Sequence, residues 1–198
     1  MINPENPFGL KPNDLVATFI DGVNLYATAK HLDPEHNVNY NKLLQLFDDN
    51  CRLSGMSYYT TLRESTEEDK HNPIIPLIDY ISNNGYRVYV NQVQKVVTEL
   101  GVKEKASVNL DIALDAYDAA LSGMTRIFLF ASDGEMTKLV APLQRRGCRV
   151  TVVSTKKDKV VSDTLRRSAD EFVDLADIMH LIIRDTKRGP RRDGRLSI

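Results

Sequence analysis

Strand-like and helix-like patterns alternate along most of this chain, and that alternation limits its possible folds more than any other feature. The first strand-like segment, Leu15–Ile20, is apolar at five of its six positions, as expected of a strand that is covered on both faces. A helical pattern separates it, and each later strand, from the next. Because strands connected through helices pair in parallel, the sequence predicts an α/β fold with three layers, α/β/α, around a mainly parallel central sheet.

Six strands and seven helices are predicted from the spacing of apolar residues and from turn residues. The predicted strands are Leu15–Ile20, Met56–Leu62, Tyr86–Val90, Arg126–Ala131, Arg149–Ser154 and Glu171–Val173. The predicted helices are Asn24–His31, Asn39–Asp49, Pro73–Asn83, Asn109–Leu121, Glu135–Arg146, Ser162–Ala169 and Leu175–Arg184. Gly85 is expected to end the third helix, and the charged segment Leu62–Asn72 is expected to be a loop.

The chain suits one domain with one core, because 198 residues of which 42% are apolar can enclose it. Residues 1–14 hold three prolines and are predicted to form a loose arm before a domain at residues 15–184. From Arg184 onward the chain has six basic and two acidic residues, whereas the part before it has five more acidic than basic residues. Residues 185–198 are predicted to be a disordered basic tail, which either solubilises the protein or touches phosphates.

Targeting and redox features predict a cytoplasmic protein that does not enter a membrane. The longest apolar stretches are strand-sized and far below the roughly 20 residues that a transmembrane helix needs. The N-terminal residues lack the basic start and apolar middle of a secretory signal. Cys51 and Cys148 lie far apart without metal-spaced neighbours, so neither a zinc cluster nor a disulfide framework is indicated.

The residues best suited to chemistry follow the predicted strands, because open parallel sheets bind ligands beyond the carboxyl ends of their strands. Asp21 follows the first strand and Asp133 follows the fourth. In both cases a glycine comes next, which permits a sharp turn into a helix. Either aspartate taken alone is equally well explained as a helix cap.

Two further aspartates, one helical turn apart, raise the hypothesis of a metal site. Asp111 and Asp115 share a face of the predicted helix Asn109–Leu121. They could form its solvated face, which is the commoner role of such charges. If the first turn of this helix instead faces Asp21 and Asp133, a bound cation would offset the repulsion among the carboxylates. Oxygen ligands without cysteine or clustered histidine favour Mg²⁺ or Mn²⁺, and such a site suits phosphoryl chemistry.

Four segments carry ordered motifs: Ile20–Asn24 reads IDGVN, Lys105–Asp111 reads KASVNLD, Ala131–Met136 reads ASDGEM, and Leu165–Leu175 contains ADEF. Together they resemble the motifs of the NYN domain in its LabA-like branch, over about Leu15 to Leu175. That family is similar to PIN nucleases. The resemblance implies a parallel sheet with an acidic pocket that uses Mg²⁺ or Mn²⁺ to cleave RNA.

The resemblance also implies roles for individual positions, to which the helical spacing adds Asp111 and Asp115. The expected catalytic residues are Asp21, Asp111 and Asp133, which with Glu135 would hold the metal; Asn24, Lys105, Asn109 and Ser132 would bind or orient the substrate; and Asp115 and Asp170 are further candidates. Asn109 stands where the family usually has aspartate, and Asp111 is a candidate replacement. Met136 stands where phenylalanine is usual. If Asn109 leaves the pocket short of negative charge, the domain would bind RNA without cutting it.

The leading hypothesis is therefore a Mg²⁺- or Mn²⁺-dependent endoribonuclease acting on single-stranded or structured RNA. The alternative is a non-catalytic module of the same fold that binds RNA or a protein partner in regulation, and a homodimer is compatible with both. A phosphatase with Asp21 as nucleophile is disfavoured, because Val23 occupies the position where such enzymes carry a second aspartate. A dinucleotide or P-loop site is disfavoured because the repeated glycines are missing. Arg63, Arg166 and Arg167 are additional candidates for substrate contact.

Overall fold

The computed structural model describes residues 3–62, 74–98, 101–105 and 107–184, with the backbone alone for 94–98 and 101–105. The strands in these residues are β1 (Leu15–Asp21), β2 (Arg52–Leu62), β3 (Tyr86–Gln92), β4 (Gln94–Thr98), β5 (Gly101–Lys105), β6 (Arg126–Phe130), β7 (Arg149–Ser154) and β8 (Glu171–Asp174). The α-helices are α1 (Gly22–Leu32), α2 (Tyr40–Asp48), α3 (Ile74–Ser82), α4 (Asn109–Leu121), α5 (Thr137–Arg145), α6 (Asp163–Ser168) and α7 (Leu175–Ile182).

Six strands form one central sheet in the order β3-β2-β1-β6-β7-β8, and every neighbouring pair is parallel. Helices α1, α2, α3 and α7 pack on one face, and α4, α5 and α6 pack on the other. The side chains of β1 alternate between the two cores, with Val16 and Ile20 in one and Ala17 and Phe19 in the other. The predicted α/β/α architecture around a parallel sheet is confirmed.

The connections between strands reverse direction at the centre of this sheet. From β1 the chain continues to β2 and β3 on one side, whereas from β6 it continues to β7 and β8 on the other. Such a reversal leaves a crevice beyond the carboxyl ends of the two central strands, where ligands of open α/β sheets bind. Asp21 ends β1 and Asp133 follows β6 closely, so the topology brings both residues to this crevice.

The structure also contains elements that the sequence did not predict. Strands β4 and β5, which follow β3 in the sequence, form a separate antiparallel hairpin. The predicted helix Glu135–Arg146 is a 3-10 turn at Gly134–Met136 followed by α5. Most of the predicted loop Leu62–Asn72 and the predicted basic tail at residues 185–198 lie outside the described residues. No helix in the described part of the chain combines the length and apolar character that crossing a bilayer requires.

Residues 3–14 pack against the domain instead of forming the loose arm expected from their prolines. Phe8 and Leu10 are buried, and Phe8 stacks on Phe47 with ring centroids 4.5 Å apart. The guanidinium of the buried Arg126 donates to the backbone carbonyls of Phe8 at 3.4 Å and Gly9 at 3.1 Å. Composition was a poor guide here, because two apolar side chains are enough to anchor a short segment.

Candidate active site

Asp21 lies where β1 passes directly into α1. Its Oδ1 accepts a hydrogen bond of 2.9 Å from the backbone N–H of Asn24, so the residue is the N-cap of α1. Burial raises the pKa of the Asp21 carboxyl, the backbone N–H groups of Asn24 and Val23 oppose that shift, and the negative charge of Asp133 adds to it. Asp21 therefore caps a helix and also sits, partly buried, in the field of a second carboxylate.

Gly22 is needed for close packing and not for the sharp turn that the sequence suggested. Its φ is not positive, unlike that of Gly85 at 89°. A Cβ atom at Gly22 would lie 2.2 Å from Cζ of the buried Tyr58 ring. Any larger residue would therefore displace either the ring or the first turn of α1, which carries the Asp21 cap.

Asp133 is held from two directions in the turn that follows β6. Its Oδ1 accepts a 2.9 Å hydrogen bond from the backbone N–H of Glu135, and its Oδ2 accepts one of 2.8 Å from Nδ2 of Asn109. Asn109 is the first residue of α4. The structure therefore brings Asn109, as an amide donor, to the carboxylate beside Asp21.

A chain of hydroxyl groups orients Asn24 at the same edge of the sheet. Ser132 Oγ donates to Oδ1 of Asn24 at 2.9 Å and lies 2.6 Å from Oγ of Ser154. Since Ser132 has a single hydroxyl proton, Ser154 must donate to Ser132. The NH₂ group of Asn24 therefore remains as a donor for another partner. Sequence reasoning missed Ser154, whose only signal was its position as the last residue of β7.

Asp111 and Asp115 face β3 and β2, away from Asn109. Nδ2 of Asn91 donates to Asp111 Oδ2 at 2.6 Å, and the Tyr59 hydroxyl donates to Asp115 Oδ2 at 2.6 Å. Positions two residues apart on a helix point about 200° apart, so Asp111 cannot follow the side chain of Asn109 toward Asp133. These aspartates fasten α4 to the sheet, a role that neither sequence interpretation included.

The expected convergence of Asp21, Asp111 and Asp133 on one ion is therefore not found. Within residues 3–62, 74–93 and 107–184, no three aspartate, glutamate, histidine or cysteine side chains lie close enough together to hold a metal. Glu135 is exposed, and its carboxylate makes no hydrogen bond to another described residue. Of the three aspartates expected to converge, Asp133 is the one whose charge acts on Asp21.

Asp170 lies at the amino-terminal ends of the strands, on the opposite side of the sheet from Asp21. Its Oδ2 accepts a 2.8 Å hydrogen bond from the backbone N–H of Val150, the second residue of β7, and its own N–H donates to the Val150 carbonyl. The amino ends of parallel strands lie far from their carboxyl ends, so this residue braces the start of β7. It does not join Asp21.

The proposed cationic contacts are only partly described. Lys105 is the last residue of β5, and its side chain, like all of Arg63, lies outside the described residues. Arg166 pairs with Asp163 at 3.2 Å, and Arg167 lies 4.0 Å from the same carboxylate. Both arginines are therefore engaged within α6.

The oxygen atoms around Asp21 and Asp133 are suitable ligands for a divalent ion that keeps several of its bound waters. Carboxylate, amide and hydroxyl oxygens are hard ligands of the kind that Mg²⁺ and Mn²⁺ prefer. Among the described residues, no lysine or arginine pairs with either carboxylate. Mg²⁺ is commonly bound by one or two carboxylates together with water and substrate phosphates, so a complete protein cage is not required.

The fold and the site together define a class: a PIN-like α/β domain with an acidic pair at the switch point of a parallel sheet. The chain belongs to the NYN domain family, whose family model matches residues 15–178. This confirms the family that the sequence motifs indicated.

One curated protein and one solved structure are similar to most of this chain. The chain is 26% identical over 184 residues to the Low amplitude and bright protein LabA of Synechococcus elongatus, a match that covers 88% of this chain and 91% of that protein. That similarity supports the LabA-like branch that the sequence motifs indicated. The crystal structure of a Vibrio parahaemolyticus protein of unknown function superposes with a TM-score of 0.64 at 21% identity, covering 87% of this chain and 97% of the other. This second likeness supports the fold alone.

Proposed function

We propose that this protein is a metal-dependent ribonuclease that hydrolyses RNA phosphodiester bonds at the Asp21–Asp133 pair with Mg²⁺ or Mn²⁺. One observation carries the proposal: the two carboxylates come from the two strands at the switch point and lie in each other's field. A cation bound at this position would offset the repulsion between the two carboxylates. Membership of the NYN family, within the PIN-like nuclease superfamily, supports the choice of RNA as substrate.

The side chains at the carboxyl ends of the central strands would have two roles in hydrolysis: to bind the metal ion and to align the phosphodiester. A bound Mg²⁺ or Mn²⁺ would acidify a water and stabilise negative charge on the phosphate oxygens. Asp21 and Asp133 would hold that ion. Asn24, whose amide is fixed by Ser132, would donate its NH₂ group to a phosphate oxygen and so align the phosphodiester. In the reaction, the oxygen of water bonds to phosphorus, the bond to one ester oxygen breaks, and that oxygen gains a proton.

A non-catalytic RNA-binding module of the same fold is the second candidate. Asn109 favours it, because this residue supplies an amide where the family motif carries aspartate, and the described residues offer no third carboxylate at the pair. In that case, the same amides would hold an RNA phosphate without hydrolysing it.

Cleavage of a labelled single-stranded RNA by the purified full-length chain separates the two candidates. We expect cleavage with Mn²⁺, none with EDTA, and none by Asp21→Asn. Asp170→Asn is the matched control, because it makes the same chemical change at the opposite edge of the sheet, and it should cleave normally. RNA binding in EDTA without any cleavage in Mn²⁺ would replace the first candidate by the second.

A further inference from the structure

A cleft of about 480 Å³ lies between α1 and α3, and the proposed hydrolysis does not use it. Tyr26 of α1, Tyr80 of α3 and Tyr40 at the start of α2 contribute aromatic rings to its lining. Lys30 and Arg184 contribute cations, and no aspartate or glutamate is among its described lining residues. The cleft therefore combines flat apolar surfaces with positive charge.

Two of the three tyrosine rings are accessible from solvent. Tyr26 is 55% exposed and Tyr80 is 38% exposed, whereas Tyr40 is buried at the floor of the cleft. Burial raises the pKa of the Tyr40 hydroxyl, and a hydrogen bond with Tyr58 and the positive charge of Arg184 oppose that shift. Rings exposed in this way offer platforms on which a planar ligand can stack.

The cations of the cleft have capacity left for an anion. The guanidinium of Arg184 lies 5.6 Å from the centre of the Tyr80 ring and pairs with no carboxylate among the described residues. Nζ of Lys30 donates to the carbonyls of Pro34 at 3.0 Å and His36 at 3.2 Å, which leaves one of its three protons. A nucleotide matches both features, because its base can stack on tyrosine while its phosphate meets the cations.

Helix α1 connects this cleft to the candidate active site. Asp21 caps the helix, and Tyr26 lies roughly 7 Å further along its axis at the usual rise per residue. A strand held at Asp21 would therefore reach the cleft by following α1, on which Lys30 supplies a positive charge.

We infer that this cleft binds the single-stranded segment of RNA next to the bond that is cut, with a base stacked on Tyr26 or Tyr80 and a phosphate on Arg184. The assignment rests on the proposed function for the choice of RNA. It does not require that the RNA be cleaved.

Fluorescence anisotropy of a labelled oligoadenylate in EDTA tests the stacking. Tyr80→Ala or Tyr26→Ala should weaken binding by about 5- to 150-fold, the equivalent of one stacked base, whereas Tyr80→Phe and Tyr26→Phe keep the ring and should bind normally. Tyr117→Ala is the matched control, because Tyr117 lies under Arg146 at 5.4 Å on the opposite face of the sheet. Equal affinities for Tyr80→Ala and Tyr117→Ala, with Tyr26→Ala also unchanged, would overturn the inference.

The salt dependence of binding tests the phosphate contact. Removing one contact to a single strand should reduce the slope of log K against log salt concentration by about 0.7. We expect this reduction for Arg184→Gln and not for Arg146→Gln. An unchanged slope for Arg184→Gln would refute the contact.

Cleavage and binding assays together keep this inference distinct from the proposed function. If the wild-type chain cuts RNA and the cleft variants bind and cut equally well, the cleft is refuted while the ribonuclease stands. If the chain binds RNA without cutting it and the cleft variants lose binding, the ribonuclease is refuted while the cleft stands. If wild-type protein shows no affinity for the oligoadenylate, the cleft assignment is rejected.

Discussion

The two roles of Asp21, helix cap and acidic ligand, can be separated by comparing two substitutions. Asp21→Asn removes the charge but keeps an oxygen that can accept from the backbone N–H of Asn24, and asparagine is as good an N-cap as aspartate. Asp21→Ala removes both the charge and the cap. The difference between the two variants therefore reports the cap, and the difference between Asp21→Asn and wild type reports the charge.

Without divalent metal, Asp21→Ala should be less stable than Asp21→Asn by about 1 kcal/mol, the usual value of an N-cap. For a domain of this size, that corresponds to a melting temperature lower by about 2–4 °C. Burial and Asp133 raise the pKa of Asp21 in the folded chain above its unfolded value. Wild-type protein should therefore lose stability as pH rises through the window between the two values, whereas Asp21→Asn should not lose this contribution.

Thermal denaturation followed by circular dichroism, from acidic to neutral pH and with or without Mn²⁺, measures both the contribution of the helix cap and that of the charge. At an Mn²⁺ concentration of about one hundred times its Kd, wild-type protein should gain about 2.7 kcal/mol, and neither variant should approach that gain. The gain should shrink as pH falls through the raised pKa, because protons compete with the ion. Equal stabilisation of Asp21→Asn and wild type by Mn²⁺ would refute the reasoning.

Three further substitutions test the surroundings of this pair. Asn109→Asp should lower the melting temperature of the metal-free protein, because it replaces the donor to Asp133 by a third carboxylate, and should tighten Mn²⁺ binding; unchanged affinity by isothermal titration calorimetry would contradict this. Ser132→Ala should reduce kcat for RNA cleavage by roughly tenfold, the worth of one orienting hydrogen bond, while Mn²⁺-induced stabilisation stays the same; loss of that stabilisation would instead indicate a ligand. Arg126→Ala should lower the free energy of unfolding by about 1–3 kcal/mol in urea titrations, because it leaves the carbonyls of Phe8 and Gly9 without their donor and takes one of two cationic partners from Glu171, which keeps Arg149. It should also expose residues 3–14 to protease; resistance of that segment would count against its anchoring.

The centre of the sheet was readable from the sequence because strands β1, β6 and β7 are buried on both faces. Runs such as Leu15–Ile20 and Arg149–Ser154 stand out as apolar segments, and Gly85 marks a helix end through its positive φ. The hairpin of β4 and β5 has few apolar residues, so its pattern did not stand out. The burial of Phe8 and Leu10 was missed because the three prolines in residues 1–14 suggested a segment that does not pack against the domain.

The candidate site was only partly readable, because its partners come from distant parts of the chain. Asp21 and Asp133 were expected together, since the carboxyl ends of parallel strands share one edge. Helical spacing places Asp111 and Asp115 on one face, but it does not reveal which strand that face meets. The contact between Asp115 and Tyr59 spans 56 residues, and no local pattern in the sequence announces it.

The central position of β1 has a consequence for synthesis on the ribosome. β1 is made long before β6, yet one of its two edges pairs with that strand, and the backbone N–H of Leu15 bonds to Thr125, 110 residues later. Contacts of such long range slow folding. Until β6 has been made, the nascent protein therefore presents one unpaired edge of an apolar strand, which is a site at which chains can associate wrongly.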